Sequence, residues 1–160
     1  MTVSFRPETP GDEPYLRELI VEAVSQELGA DSWPEPMRSH LLRIQYTQRR
    51  YAVRVHYPEG ESRIILADGK TAGWIYVAAL PDEIRIAEIM VMAGSRSRGV
   101  GSEVIRRIVA EAGPSGKPVR LHVNVMNVRA GGFYERLGFQ RIGGDELQHL
   151  MERLPSAEIC

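Results

Sequence analysis

The residues best suited to chemistry lie in one stretch, residues 88–102, where a largely apolar run passes through a glycine-containing loop into a helical pattern. Gly99 and Gly101 let the backbone come close to a ligand, and the free N–H groups of the first helical turn point outward. The helix dipole favours negative charge at this end, and Arg96 and Arg98 add positive charge. The stretch therefore predicts an anion-binding site, against the alternative of a plain tight turn between a strand and a helix.

Two well-known phosphate-binding motifs do not fit this loop. A P-loop has Lys-Ser or Lys-Thr after its second glycine, whereas Ser102 and Glu103 follow Gly101 here. A dinucleotide-binding fingerprint has a third glycine three residues after the second, and Val104 stands at that position. The pattern that remains is Arg-x-x-Gly-x-Gly at residues 96–101.

The loop needs a strand before it and a helix after it, and the sequence predicts both. Residues 84–92 have the apolar character of a central strand that is covered on both faces. From about Gly99 to Ala112 apolar residues recur on one helical face, and Gly113-Pro114 ends the pattern. The inner face of this helix is predicted to consist of Val100, Val104, Ile105, Ile108 and Val109.

The other predicted elements complete an α/β order with a mixed sheet. The segment 51–57 suits a strand as well as the end of the second helix, so the boundary of that helix stays open. In chain order, these elements are a strand at 3–6, a helix from residue 12 to 28, a second helix from about residue 41 towards residue 58, a hairpin of strands at 64–67 and 73–77, a strand at 119–125, a helix at 127–137, and two strands around 139–142 and 147–152.

A second motif lies downstream, in residues 121–123 and in the segment 127–139, NVRAGGFYERLGF. With both motifs in this order and in these structural settings, the chain resembles the GNAT superfamily of acyl-CoA-dependent N-acyltransferases. The hallmark of that family is Gln/Arg-x-x-Gly-x-Gly/Ala between the fourth strand and the third helix, and its second signature has Asn, Ala, Tyr and Gly-Phe at this spacing. The resemblance covers essentially the whole chain.

The resemblance implies a fold and a co-substrate. The fold is α/β (α+β), with a mixed, mostly antiparallel central sheet of about six to seven strands that is splayed after the fourth strand and flanked by about four helices. The co-substrate is acetyl-CoA, without a metal. The loop amides would hold the CoA diphosphate, and the backbone of Met90 and Val91 would pair with the pantetheine arm like an added strand. The implied cofactor-binding residues are Met90, Val91, Arg96, Ser97, Arg98, Gly99, Val100, Gly101, Ser102 and Asn127.

The family pattern gives Asn127 and Tyr134 roles beside the coenzyme. Asn127 would hydrogen-bond the pantetheine chain, and it is also well suited to cap the short helix; the two roles are compatible. The family places a tyrosine at the position of Tyr134 with its hydroxyl near the thioester sulfur, where it can protonate the leaving thiolate. An acid of similar or slightly higher pKa than the thiol would serve this purpose. The alternative is that Tyr134 only packs, in one helical stripe with Ala130, Phe133 and Leu137.

Glu88 is the candidate general base. By period-two alternation it shares one face of its strand with Ile84, Ile86 and Met90, and is therefore a carboxylate among apolar neighbours. Burial raises the pKa of a carboxylate towards the working pH, which suits a group that takes a proton from the acceptor's ammonium. Two alternatives stay open: Glu88 binds the ammonium without taking its proton, or it pairs with an arginine such as Arg129.

Composition restricts the class of protein. The chain has 160 residues, 43% hydrophobic and 26% charged, with a formal net charge of -1, which is the balance of an ordinary globular domain. We expect one N-acetyltransferase domain over residues 1–160, without a nucleic-acid or membrane partner. The N-terminus lacks the pattern of a secretory signal, so the expected location is cytoplasmic.

Cysteine and histidine give no sign of a metal or a covalent intermediate. The only cysteine is Cys160, the last residue, and no serine is recognisably placed with a base. The four histidines are scattered without metal-ligand spacing. His122 could relay a proton from the strand next to Glu88, against the alternative of a histidine that is satisfied between strand neighbours.

The sequence thus predicts an enzyme that transfers the acetyl group of acetyl-CoA to the primary amine of a small molecule, by direct attack in a ternary complex. The alternatives are a peptide or protein acetyltransferase and a non-catalytic acyl-CoA-binding module. A homodimer is suggested by analogy only. The acceptor pocket is expected between the first two helices and the central strands. Four aromatic residues would either line it or belong to the core: Trp33, Tyr46, Trp74 and Tyr76.

Overall fold

A seven-stranded mixed sheet in the order β1-β2-β3-β4-β5-β7-β6 runs through the molecule. The computed structural model describes residues 1–96 and 98–155. The strands are β1 (Val3–Pro7), β2 (Glu61–Ala67), β3 (Lys70–Ala79), β4 (Ile84–Val91), β5 (Val119–Asn124), β6 (Gln140–Gly144) and β7 (Gln148–Arg153). The helices are α1 (Glu13–Leu28), α2 (Met37–His56), α3 (Ala93–Arg96), α4 (Val100–Ala112) and α5 (Val128–Arg136). All neighbouring strands are antiparallel except β4 and β5, as predicted for a mixed, mostly antiparallel sheet.

The sheet is splayed between β4 and β5. These parallel strands pair only at their first two residues, Ile84 with Val119 and Arg85 with Arg120. β4 then continues to Val91 without pairing to β5, and β5 pairs on its other side with β7. The gap between the C-terminal halves of β4 and β5 confirms the predicted splay after the fourth strand.

Helices cover both faces of the sheet. On one face α4 buries all five residues predicted for its inner side, together with Ala112, and α5 packs beside it through Phe133, Tyr134 and Leu137. On the other face α1 and α2 pack against Trp74 and Tyr76 of β3. Full burial of such side chains contributes roughly 1.5–3 kcal/mol each to folding. The reading of Trp74 and Tyr76 as core residues is therefore confirmed.

The second helix is longer than the sequence pattern indicated. It begins at Met37 and continues to His56, so the strand alternative for residues 51–57 is wrong. Tyr51 and Val55 contributed to the apolar pattern that suited a strand. Both are exposed, 68% and 53%, on the outer side of α2, so this pattern does not mark a buried face.

A buried polar network fixes α2 to the sheet. Arg50 donates hydrogen bonds from both terminal guanidinium nitrogens to the Glu8 carboxylate, with an Nη1–Oε1 distance of 2.8 Å. Ser62 Oγ donates to the same carboxylate and accepts a 2.8 Å hydrogen bond from Trp74 Nε1. Because every partner is satisfied, the network sets the rotation of α2 and with it the position of the neighbouring residue Arg49.

A β-bulge in β4 changes which face Glu88 occupies. Tyr76 of β3 pairs with Glu88, but the next residue, Val77, pairs with Ile86, so that Ala87 is an extra residue in β4. Such a bulge interrupts the alternation of side chains between the two faces of a strand.

The predicted face of Glu88 is therefore wrong in part. Ile84 and Ile86 lie in the core under α4, whereas Met90 lies in the core under α1 and α2. Glu88 shares the face of Met90 and contacts α2. Strict alternation failed because the extra residue in β4 moves Glu88 to the opposite face from the two isoleucines.

Gly73 gives a stability prediction for this part of the sheet. It lies opposite Val91, and a Cβ atom at Gly73 would overlap the carbonyl oxygen of Met90. We expect Gly73→Ala to lower the free energy of unfolding by about 2–3 kcal/mol, because β3 and β4 would have to move apart. Urea unfolding measures this change.

Gly131→Ala is the matched control. A Cβ atom there would meet nothing within 4 Å, and the residue lies inside α5. Alanine should therefore stabilise the protein by about 0.5–1 kcal/mol. Equal stability of Gly73→Ala and wild type would contradict the close approach of the two strands.

Candidate active site

The N-terminus of α4 offers free backbone amides beside the gap in the sheet. Gly99 precedes the helix with φ 79° and ψ 13°, a left-handed conformation that favours glycine. The amides of Val100, Gly101 and Ser102 lie in the first turn, where no intrahelical partner exists. No side chain of the described residues caps this end. The loop therefore has the free donors and the dipole of an anion site.

Gly101 brings the two sequence motifs together. A Cβ atom at this position would lie 3.4 Å from Cζ of Phe133 in α5. The first turn of α4 and the second motif are therefore in contact.

The arginines of the loop differ in what they contact. Arg96 donates from Nε to the carbonyl oxygen of Val91 (2.9 Å) and from Nη1 to Oε1 of Gln26 in α1 (2.9 Å). It thus ties α1 to the end of β4 instead of facing the loop amides. Arg98 is exposed, with Nη2 3.9 Å from Oδ2 of Asp68. The predicted contact residue Ser97 lies outside the described residues.

Val91 and Met90 present their backbone groups to different sides. The amide of Met92 donates to the carbonyl of Ala72, the residue before Gly73 in β3 (2.8 Å), and the carbonyl of Met90 also points at β3. Since successive residues of a strand turn their polar groups to opposite edges, those of Val91 face the gap. The backbone groups of Met90 therefore face β3, while the amide of Val91 faces the gap and its carbonyl accepts from Arg96.

Asn127 caps α5. Its Oδ1 accepts a hydrogen bond from the amide of Ala130 at 3.1 Å, which confirms the helix-capping alternative for this residue. The cap fixes the start of the helix that carries Tyr134.

Tyr134 is packed between aromatic rings and remains protonated at neutral pH. Its ring meets Phe133 edge to face at 5.1 Å and Phe139 at 5.6 Å between centroids. Burial, and then the negative charge of Glu88, raise the pKa of Tyr134 to about 12. The hydroxyl is therefore a hydrogen-bond donor across the physiological range.

Glu88 has a pKa near the working pH of an enzyme. Its side chain is 22% exposed, and burial raises its pKa to about 7, against the opposing effect of Arg49. Arg49 Nη1 lies 3.6 Å from Oε1 of Glu88, while Nη2 donates a 2.7 Å hydrogen bond to Glu27 of α1. The partner is thus Arg49 and not Arg129. Arg49 lies closer to Glu27 than to Glu88. The carboxylate oxygens of Glu88 are therefore still able to accept a proton.

The gap joins the two faces of the sheet at these residues. Tyr134 lies on the face covered by α4 and α5, and Glu88 on the face covered by α1 and α2. Glu88 nevertheless affects the pKa of Tyr134, because β4 and β5 are not paired there and no strand separates the two groups. The charge of Glu88 thus reaches Tyr134 in the part of the sheet where β4 and β5 are not paired.

His122 belongs to a separate polar cluster. Arg85 Nη1 donates to Nδ1 of His122 at 2.8 Å, and its Nε donates to Glu83 at 2.8 Å. Burial and the charge of Arg85 lower the pKa of His122. The alternative of a satisfied histidine fits these contacts, with the ring neutral and Nδ1 accepting.

Arg49 and Glu27 are contacts of the site that the sequence did not identify. Both come from segments far from the two motifs, and no local pattern marks their meeting with β4. The only signal would have been the composition of α2, which has five arginines and no aspartate or glutamate in its 20 residues.

Comparison with known proteins decides the family. The sequence profile of the Acetyltransferase (GNAT) family matches residues 18–139. The chain belongs to this family. Acetyl-CoA is the co-substrate of GNAT enzymes. The α4 amides, the Gly99 conformation and the Val91 backbone at the gap fit such a molecule.

Similar proteins support the GNAT fold. The PaiA N-acetyltransferase from Thermoplasma acidophilum, in complex with coenzyme A, is 17% identical with a TM-score of 0.72, covering 96% of this chain and 99% of that one. The ribosomal-protein-S18-alanine N-acetyltransferase from Escherichia coli is 17% identical with a TM-score of 0.66, covering 98% and 96%. Mycothiol acetyltransferase from Actinosynnema mirum is 38% identical over 78 residues, which is 48% of this chain but only 26% of that protein.

Two further properties follow from the described residues. No group of three or more metal-binding side chains is arranged there to hold an ion. Within the same residues, no helix combines the length and the apolar character that crossing a membrane requires.

Proposed function

We propose that the protein transfers an acetyl group from acetyl-CoA to the primary amine of a small molecule, by direct attack in a ternary complex. The observation that carries this proposal is the gap between β4 and β5 beside the free amides of α4, with Glu88 close enough for its charge to raise the pKa of Tyr134. Membership of the GNAT family supports the acyl donor.

The chain's own groups would hold the coenzyme at three places. The first-turn amides of α4 would bind the diphosphate, with Arg98 adding positive charge nearby. The amide of Val91 would donate to the pantetheine arm, and Asn127 would contact the arm from the start of α5. When bound there, acetyl-CoA supplies an activated thioester to the opening between β4 and β5.

Glu88 and Tyr134 would manage the protons of the reaction. With a pKa of about 7, Glu88 is ionised in a substantial fraction of molecules at neutral pH and can take a proton from the acceptor's ammonium. The phenol of Tyr134 has a pKa of about 12, well above the value of about 8.5 for a free cysteine thiol. Complete transfer of its proton to a thiolate is therefore uphill, and we propose that Tyr134 acts by donating a hydrogen bond to the sulfur.

Release of free thiol from acetyl-CoA, measured with and without a panel of amines, tests this function. Thiol release that depends on an amine supports an acetyltransferase. Coenzyme binding without amine-dependent release across the panel would favour the non-catalytic module.

Tyr134→Phe gives a sharper expectation. We expect kcat to fall about 10–100-fold, as for loss of a hydrogen bond to a developing charge, with little change in KM for acetyl-CoA. Phenylalanine keeps the packing against Phe133 and Phe139, so stability should hold. The control is Tyr51→Phe, which removes an exposed hydroxyl on α2. An unchanged kcat in Tyr134→Phe would restrict Tyr134 to packing.

We further propose that residues 1–160 act as one domain in the cytoplasm. A homodimer stays a prediction by analogy with the family.

A further inference from the structure

A cleft of about 240 Å³ lies between α1 and α2. Arg17 of α1 and Arg38 and Arg43 of α2 line it, together with the ring of Tyr46. Val21 and Leu42 form the apolar part of the wall. The cleft is thus small, partly apolar and bordered by three positive charges.

The ion pairs around the cleft leave positive charge free for a ligand. Arg17 pairs with Glu13 at 3.1 Å, but both side chains are largely exposed. Arg38 meets its carboxylates only at 3.4 and 3.9 Å. Arg43 has no ion pair among the residues that the structure describes. A small anion could therefore gain close guanidinium contacts without breaking a buried pair.

One polar group of the cleft wall, Nε of Arg38, is buried without a hydrogen bond within residues 1–96 and 98–155. Leaving a buried donor without a partner costs free energy that an acceptor ligand would recover. The hydroxyl of Tyr46 is not such a group, because burial and then the neighbouring carboxylate of Glu13 raise its pKa.

The cleft lies along the helix that contacts the candidate base. Tyr46 precedes Arg49 by one turn of α2, and Arg49 contacts Glu88. Arg43 and Arg49 are six residues apart, about 9 Å along a helix axis. A second group on an amine held at Glu88 would have to span at least this distance to reach Arg43.

We propose that this arginine cleft binds a carboxylate or phosphate group. Its source is either the acyl acceptor itself, which would then be an amine with an anionic group at its other end, or a free anion. The possibility that the acceptor carries the anionic group rests on the proposed function, whereas binding of an anion in the cleft does not.

Thermal denaturation with inorganic phosphate and with 6-aminohexanoate tests the binding. Saturating coenzyme A is included in one series so that the α4 amides do not bind the added anion. We expect both compounds to raise the Tm of the wild type, and the rise to disappear in Arg43→Gln.

Arg54→Gln is the matched control, because it removes an exposed arginine of the same helix outside the cleft. A shift that persists unchanged in Arg43→Gln, or no shift in the wild type, would overturn the proposal. Arg43 is exposed, so its replacement should leave the fold intact.

Turnover separates the two sources. If the acceptor carries the anion, kcat/KM for ω-aminocarboxylates should exceed that for n-alkylamines and α,ω-diamines of equal length by about tenfold or more, and Arg43→Gln should remove the preference. An Arg43-dependent Tm shift without this preference identifies a free-anion site. A complete lack of turnover with an intact Tm shift would refute the proposed function and support the anion cleft.

Discussion

Replacing Glu88 by glutamine is expected to lower kcat/KM for the acceptor amine by about 10²–10⁴-fold and to remove one limb of the pH–rate profile. The pKa of Glu88 is about 7, so the base form increases as the pH rises from 6 to 8. The acceptor's own deprotonation also raises the rate with pH. The ratio of wild-type to Glu88→Gln rates at each pH removes this contribution, and it should rise through pH 7 and then level off.

The stability of the same variant separates catalysis from structure. Burial holds the folded pKa of Glu88 above its ordinary value of 4.5. The folded state therefore retains a proton that the unfolded state loses, and stability decreases as the pH rises from about 4.5 to 7. Glutamine does not ionise, so Glu88→Gln should be more stable than the wild type by about 1–3 kcal/mol at pH 8, and nearly equal to it at pH 4.

Glu22→Gln on the exposed side of α1 is the control and should change neither rate nor pH profile. A rate loss in Glu88→Gln that is constant at every pH would contradict a general base. It would favour the alternative in which Glu88 binds the acceptor's ammonium.

Acetyl-CoA should stabilise the wild type, and the double variant Gly99→Glu/Gly101→Glu should lose this stabilisation. A ligand at a hundredfold excess over its dissociation constant adds roughly 2.7 kcal/mol to the free energy of unfolding. Glutamate at Gly99 would have to adopt φ 79°, and at Gly101 it would press on Phe133. Both carboxylates would also repel the diphosphate at the α4 amides. The measurement is Tm with and without acetyl-CoA.

Gly113→Glu adds the same side chain at the other end of α4, where a Cβ atom would meet nothing within 4 Å. Its acetyl-CoA shift should equal that of the wild type. A full shift in the double variant would move the coenzyme away from the α4 loop. No shift in the wild type at millimolar acetyl-CoA would contradict the proposed function.

Local patterns predicted the parts of the site that depend on one element. Gly99, the five apolar residues of α4 and the cap at Asn127 follow from spacing along the chain, because a helix and its ends are set by nearby residues. For the same reason the order of strands and helices agrees with the GNAT pattern.

The errors concern features that arise only when elements meet. The bulge at Ala87 depends on how β4 pairs with β3, and no residue in β4 signals it. The partner of Glu88 depends on the rotation of α2, which the buried Arg50–Glu8 network sets from the end of β1. The contacts of Arg96 also arise between elements, because its guanidinium binds the carbonyl of Val91 and the side chain of Gln26 in α1.

The short ladder between β4 and β5 has a consequence for how the molecule opens. Among the residues that the structure describes, backbone hydrogen bonds join the two halves of the sheet only near Ile84 and Arg85. The rest of the connection is made by side chains, chiefly those of α4 and α5 against both halves. The line between β4 and β5, the seam of the sheet, is therefore the place where local opening costs the least free energy. A coenzyme arm paired with Val91 would add backbone bonds along that seam, so supply of the acyl donor would determine whether the two halves unfold as one cooperative unit or separately.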